Sequence, residues 1–130
     1  MNDNYKHTEI TEKIIKAFYN VYNKLGYGFL EKVYERAMLI ELTKFSLNCK
    51  SQFPIKVFYD SKDVGEYFAD IIVNDIVIIE LKAAESICEE HECQLVNYLK
   101  ATDIEVGLLL NFGKEPQLKR KVLTKDHKKS

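Results

Sequence analysis

Two hydrophobic periods alternate along the chain, and the switches between them mark out helices and strands. Ile10, Ile14, Ala17, Phe18, Val21, Tyr22 and Leu25 recur every three or four residues behind Thr8, a residue suited to capping a helix start. Gly26-Tyr27-Gly28 stops that helix. Leu30, Val33, Tyr34, Ala37, Met38 and Glu41 then mark the turns of a second helix, from Leu30 to Thr43. Alternation follows. Phe53, Ile55, Val57 and Tyr59 share one side of a strand that Pro54 confines to a sheet edge. Asp60-Ser61-Lys62-Asp63 turns the chain, Val64 to Val73 forms the next strand, and Asn74-Asp75 makes a tight turn into a strand from Ile76 to Lys82. That last strand opens Ile-Val-Ile-Ile, apolar on both faces, which predicts a central position covered from both sides. A third helix is expected over Ser86 to Ala101, with Ile87, Leu95, Tyr98 and Leu99 inward. Val106 to Leu110 returns as a buried strand, parallel to its neighbour through the helical crossover. Lys119 to Leu123 supplies a short last strand. The order ααβββαβ(β) predicts an α/β sandwich.

At 130 residues and 15.2 kDa the chain is one domain with one real core. Its longest apolar runs are too short to cross a bilayer, and Met1-Asn2-Asp3-Asn4 opens without the apolar stretch of a secretory signal. The expected location is the cytoplasm, with no membrane partner. Cys49, Cys88 and Cys93 are odd in number and lack metal-site spacing, so reduced thiols are expected rather than a disulfide framework or a zinc site. The net charge of −1 argues against a constitutive nucleic-acid binder, but the distribution is uneven. From Lys114 onward seven Lys/Arg face two acids, a net of +5, which leaves twelve basic and eighteen acidic residues, a net of −6, before it. An acidic body suits a cation and a basic tail a polyanion; a merely solvated tail fits the same composition.

The candidate chemistry lies around the predicted hairpin. With the turn at Asn74-Asp75, position i faces position 149 − i, so Asp70 lies opposite Ile79, one step from Glu80. A one-residue offset would set Asp70 beside Glu80. Glu80 and Lys82, two apart, share a face. A carboxylate following four apolar residues in a central strand is costly unless it is paired or binds a metal. Hard oxygen donors with retained waters suit Mg²⁺ or Mn²⁺. Such an ion, held by Asp70, Glu80 and the Leu81 carbonyl, would polarise a phosphoryl oxygen and acidify water, with Lys82 offsetting charge in the transition state. The alternative is structural, with all three marking the solvated ends of buried strands.

Asp70 followed by Glu80-Leu81-Lys82 resembles the PD-(D/E)xK nuclease motif, with Ala69 in place of the proline. Gly28-Phe29-Leu30-Glu31-Lys32-Val33-Tyr34 resembles the signature of the GxxExxY family, a branch of that superfamily. Gln94-Leu95-Val96-Asn97-Tyr98 is similar to the Q-x-x-x-Y of RecB-type and lambda-exonuclease-type nucleases. The three occur in order over roughly residues 10–122. The resemblance implies a restriction-endonuclease-like αβββαβ core over residues 1–122, a basic tail over 123–130, and a Mg²⁺- or Mn²⁺-dependent nuclease acting on DNA in repair, recombination or defence. It implies Glu31 as a further metal or water ligand, and Gln94 and Tyr98 as residues that hold the site and contact nucleic acid. His91, one turn before Gln94, is a candidate for phosphate contact or proton shuttling as well as for a structural role. Asn111-Phe112-Gly113 and Arg120 fit the family's C-terminal part, with Arg120 binding phosphate or pairing with an acid. The competing readings are a non-cleaving nucleic-acid- or protein-binding module of the same fold, and a subunit of a larger complex. A homodimer or a partner subunit is compatible with either.

Overall fold

The computed structural model describes residues 6–128; Met1 to Asn4 at the polar start and Lys129 of the basic tail lie outside the described residues. Helices α1 (Thr8–Leu25) and α2 (Glu31–Lys44) precede β1 (Cys49–Tyr59), β2 (Lys62–Val73) and β3 (Val77–Lys82). Helix α3 (Glu89–Lys100), β4 (Val106–Phe112), β5 (Pro116–Val122) and a 3₁₀ turn (Lys125–His127) follow. The strands form one sheet in the order β1-β2-β3-β4-β5. Only β3 and β4 run parallel, joined by the α3 crossover. Thr8 is the first helical residue rather than the cap, a position taken by His7 in a left-handed conformation (φ 56). Cys88 caps α3, which therefore starts three residues later than its apolar pattern suggests.

The sheet divides two cores. One joins Ile14, Phe18, Tyr34, Met38 and Leu42 of α1 and α2 to Ile71, Ile79, Leu81 and Leu108. The other joins Leu95, Tyr98 and Leu99 of α3 to Ile55, Ala69, Ile72, Ile78 and Leu109. At Gly107 of β4 the α3 helix lies so close that an added Cβ would meet Leu95 Cδ1 at 2.6 Å. Burial of about 1.5–3 kcal/mol per large apolar side chain makes these two layers the main source of stability.

The β2–β3 pairing differs from the predicted register by one residue. Asn74 and Asp75 both adopt left-handed backbone and Ile76 N–H closes onto the Val73 carbonyl, so the two-residue turn forms as expected. Ile76 is then left over, and the ladder runs Val73↔Val77, Ile72↔Ile78, Ile71↔Ile79. Position i faces 150 − i; the ladder stops at Ile71↔Ile79, but the same offset carried one step on sets Asp70 against Glu80, whose carboxyl groups are hydrogen-bonded. An apolar Ile76 is indistinguishable by pattern from a first strand residue, which is why the alternation alone misses this step.

Candidate active site

The sheet comes apart where the acidic residues sit. The β1–β2 ladder pairs Ser51 with Ile71 and Phe53 with Ala69, but skips Gln52 and Asp70 between them. Gln52 has φ 50, a left-handed conformation uncommon outside glycine. The kink shows in the packing: Ala69 and Ile71, two apart on one strand, lie in different cores, which regular alternation forbids. Asp70 leaves the ladder and uses its side chain instead, Oδ2 accepting the Leu81 N–H at 2.8 Å. In an extended strand the N–H and C=O of one residue leave by the same edge, so the buried Leu81 also turns its carbonyl toward Asp70.

Glu80 lies on the α3 face, and its residue is only 4% exposed. Its Oε1 is buried with no hydrogen-bond partner. Burial first, then the charge of Asp70 and a carboxyl–carboxyl hydrogen bond with it, push the Glu80 carboxyl up to about 10; Lys82 opposes the shift. Without a cation this group holds its proton at neutral pH. Two carboxyl groups are thus forced together, one with an orphaned oxygen, and Mg²⁺ is commonly held by one or two carboxylates with waters completing the shell. The residues fit the ion. Among the described residues no group of three or more His, Cys, Asp or Glu converges as a metal cluster, so the protein carboxylates here are the pair.

Lys82 and Glu80 share a face as predicted, and Lys82 Nζ donates to Gln94 Oε1 on α3 at 3.5 Å. One turn along α3, Tyr98 is buried, and its hydroxyl is pushed up to about 12, by burial first and then by the charges of Glu80 and Asp70. It stays a proton donor, within electrostatic reach of both acids. Its ring lies 5.9 Å from that of Tyr67 on β2. Asp70, Glu80, Leu81, Lys82, Gln94 and Tyr98 are therefore brought to one place.

Glu31, His91 and Arg120 are not. Glu31 sits exposed in the first turn of α2, and among the described residues it forms no cluster with the two acids. The α2 acid linked to Asp70, through Gln52, is Glu35, one turn on and buried beside Tyr34. Gln52 Nε2 donates to Glu35 Oε1 at 2.6 Å and, more weakly, to Asp70 Oδ1 at 3.4 Å, while Lys32 Nζ donates to the other Glu35 oxygen at 3.1 Å. In the sequence Glu35 is legible only as an acid on the inward stripe of α2, adjacent to Tyr34; Gln52 gives no signal at all. His91 folds back as a cap, Nδ1 accepting the Cys88 N–H at 3.2 Å. Arg120 pairs across the ladder with Leu108, on the α1–α2 face, where it donates to Thr11 Oγ1 and the Lys6 carbonyl. It clamps α1 to the sheet, and among the described residues it forms no ion pair with an acid.

Asn111 and Gly113 fix the loop that leaves Lys82. Asn111, fully buried, accepts the Ala84 N–H at 2.9 Å and donates to the Ala84 carbonyl at 3.0 Å. A Cβ on Gly113 would stand 2.4 Å from the Ala84 oxygen, so only glycine permits that approach. Tyr34, the tyrosine of the G-x-x-E-x-x-Y run, is packed rather than reactive: it stacks on Phe112 at 4.1 Å and donates to the Gly26 carbonyl at 2.8 Å.

A mixed sheet clad by helices on both faces, carrying two strand-borne carboxylates and a lysine where its strands part, defines a restriction-endonuclease-like α/β domain. Residues 8–122 match the PD-(D/E)XK nuclease superfamily, and the chain belongs to it. Members of that superfamily are usually nucleases. Among solved structures the chain is similar to the crystal structure of SSO0001, with 18% identity and a TM-score of 0.59 over 74% of this chain and 52% of that one. That likeness concerns the fold, and the chain spans about half of that structure's length. No curated protein matches the chain.

Proposed function

We propose that this chain is a divalent-cation-dependent nuclease that hydrolyses phosphodiester bonds of DNA, working in the cytoplasm. The observation that carries this reading is the buried, partnerless Glu80 oxygen beside the Asp70 carboxylate. Asp70, Glu80 and the Leu81 carbonyl would hold Mg²⁺ or Mn²⁺. When bound, that ion supplies Lewis acidity toward a phosphoryl oxygen and acidifies a neighbouring water. The chain's own groups do the rest. Lys82, steadied by Gln94, sets a positive charge where phosphate charge grows. Tyr98 keeps its proton and can donate it in a hydrogen bond to a non-bridging oxygen or to a site carboxylate. Glu35, through Gln52, restrains the direction in which Asp70 points.

The test has two parts. Calorimetry with Mn²⁺ should detect binding that Asp70→Ala abolishes. Incubation with labelled linear, circular and branched DNAs plus Mg²⁺ or Mn²⁺ should give cleavage that Glu80→Ala and Lys82→Ala each remove. A wild-type protein that binds no divalent cation at millimolar concentration refutes the enzyme.

A further inference from the structure

The β1–β2 hairpin is far longer than the strand it is paired to. β2 runs from Lys62 to Val73, yet β3 pairs with it only from Ile71. The stretch from about Phe53 to Phe68 therefore runs on past β3 as a two-stranded arm beside the candidate site, its base held to the α3-side core by Phe53 and Ile55. On the α3-facing side of that arm stands Tyr67, in register with Ile55 and two residues before the buried Ala69. Tyr67 is 50% exposed and touches Tyr98 with one part of its ring. Ile55 lies opposite it across the ladder, and two residues back Gly65 adds no side chain beside the ring, where even a Cβ would stand 3.8 Å away.

We propose that Tyr67 is a stacking platform for an unpaired base, and that the strand this site accepts is single-stranded or locally opened nucleic acid rather than intact duplex. The inference rests on the nuclease reading above and specifies its substrate. Asp70 lies three positions after Tyr67, at most about 10 Å along a β-strand and less across the kink. That is at most roughly three bases at the ~3.4 Å spacing of a stacked strand. A phosphate at Asp70 and Glu80 would thus place a nearby base on the ring. The charges argue the same way. Within 53–68 the cations Lys56 and Lys62 face Asp60, Asp63 and Glu66, and Lys56 is already paired with Asp63 at 3.7 Å. Such an arm cannot neutralise two rails of duplex phosphate. It can hold a strand by its bases, since stacking on an aromatic ring contributes about 1–3 kcal/mol per base with little regard to sequence.

Fluorescence anisotropy without divalent cation, on a labelled oligothymidylate and a labelled duplex of equal length, tests this directly. Tyr67→Ala should weaken oligothymidylate binding about tenfold and leave duplex binding unchanged, whereas Tyr67→Trp should retain it. Unchanged single-strand affinity in Tyr67→Ala, or an equal loss on both forms, overturns the proposal. So does a change of oligomeric size in Tyr67→Ala with both affinities intact, which would make the arm an interface between copies. The nuclease reading fails separately: Tyr67-dependent binding without any cleavage in Mn²⁺ would sink that reading and leave the platform standing. Cleavage of duplex indifferent to Tyr67 would do the reverse.

Discussion

Glu80 carries a conflict between folding and chemistry, and the sign of its effect on stability follows from its environment. Its carboxyl titrates near 4.5 when the chain is unfolded and near 10 when folded and free of cation. The folded protein binds the extra proton, so the ion-free protein loses stability as pH rises from about 4.5 towards 10. Glu80→Gln, which needs no proton, should therefore melt at nearly the wild-type temperature at pH 4 and several degrees higher at pH 8, at roughly 3 °C per kcal/mol for a domain of this size. Mn²⁺ should reverse the order, raising the wild-type Tm and scarcely moving that of the variant. The ion has to displace a proton, so its apparent affinity should climb between pH 6 and pH 8, which calorimetry in buffers of different ionisation heat can read as proton release. Much of this is visible in the amino acids, because burying a glutamate behind four apolar residues is too costly for an idle side chain. The partner is less visible, since a single leftover residue, Ile76, decides whether Asp70 faces Ile79 or Glu80.

At the scale of elements, the decisive event is the kink shared by β1 and β2. Helix periods and strand alternation expose both helices before the sheet, the hairpin, the central strand and the crossover, because each buries a regular face. The kink breaks that regularity, so no period announces it, and Gln52 looks like an ordinary exposed strand residue. For the same reason Glu31 stands out through its place in a motif, while it is Glu35 that sits on the stripe meeting the sheet. His91 and Arg120 are ambiguous in sequence on different grounds: imidazole and guanidinium serve as caps and clamps as readily as they serve phosphate, and only coordinates distinguish the two. Gln52→Ala should leave the fold intact, since the side chain is exposed, yet free both acids it links. A fall in kcat of about tenfold to a hundredfold with an unchanged melting curve is the expected outcome. A loss of stability equal to the loss of rate would assign Gln52 to the scaffold instead.

For the whole molecule, the uneven charge acquires a direction. Leu109 pairs with both Glu80 and Lys119, so the exposed Lys119 lies in the same row as Glu80, two strands and about 10 Å from it. Lys128 is different: its ammonium is committed to the carbonyls of Thr102 and Ile104, and burial lowers its pKa. Lys119→Ala should weaken single-strand binding and reduce its salt slope by about 0.7, while Lys128→Ala should do neither. The basic end of the chain is thus partly spent on holding itself down, with Lys125 N–H also bonded to Glu105.

The two walls flanking the acids are anchored unequally. Asn111 rivets the α3 side to β4, and Gly113 lets the backbones touch there. The hairpin side is held to α3 at its base, through Phe53, Ile55 and Ala69, and further out chiefly by its own two strands. Any widening needed to thread a polymer should come from the outer hairpin, beyond Ile55 and Ala69, with α3 as the stationary jaw. Amide hydrogens of Val57 to Phe68 should then exchange far sooner than those of Val77 to Leu81, and a bound oligonucleotide should slow the former while leaving the latter as they were.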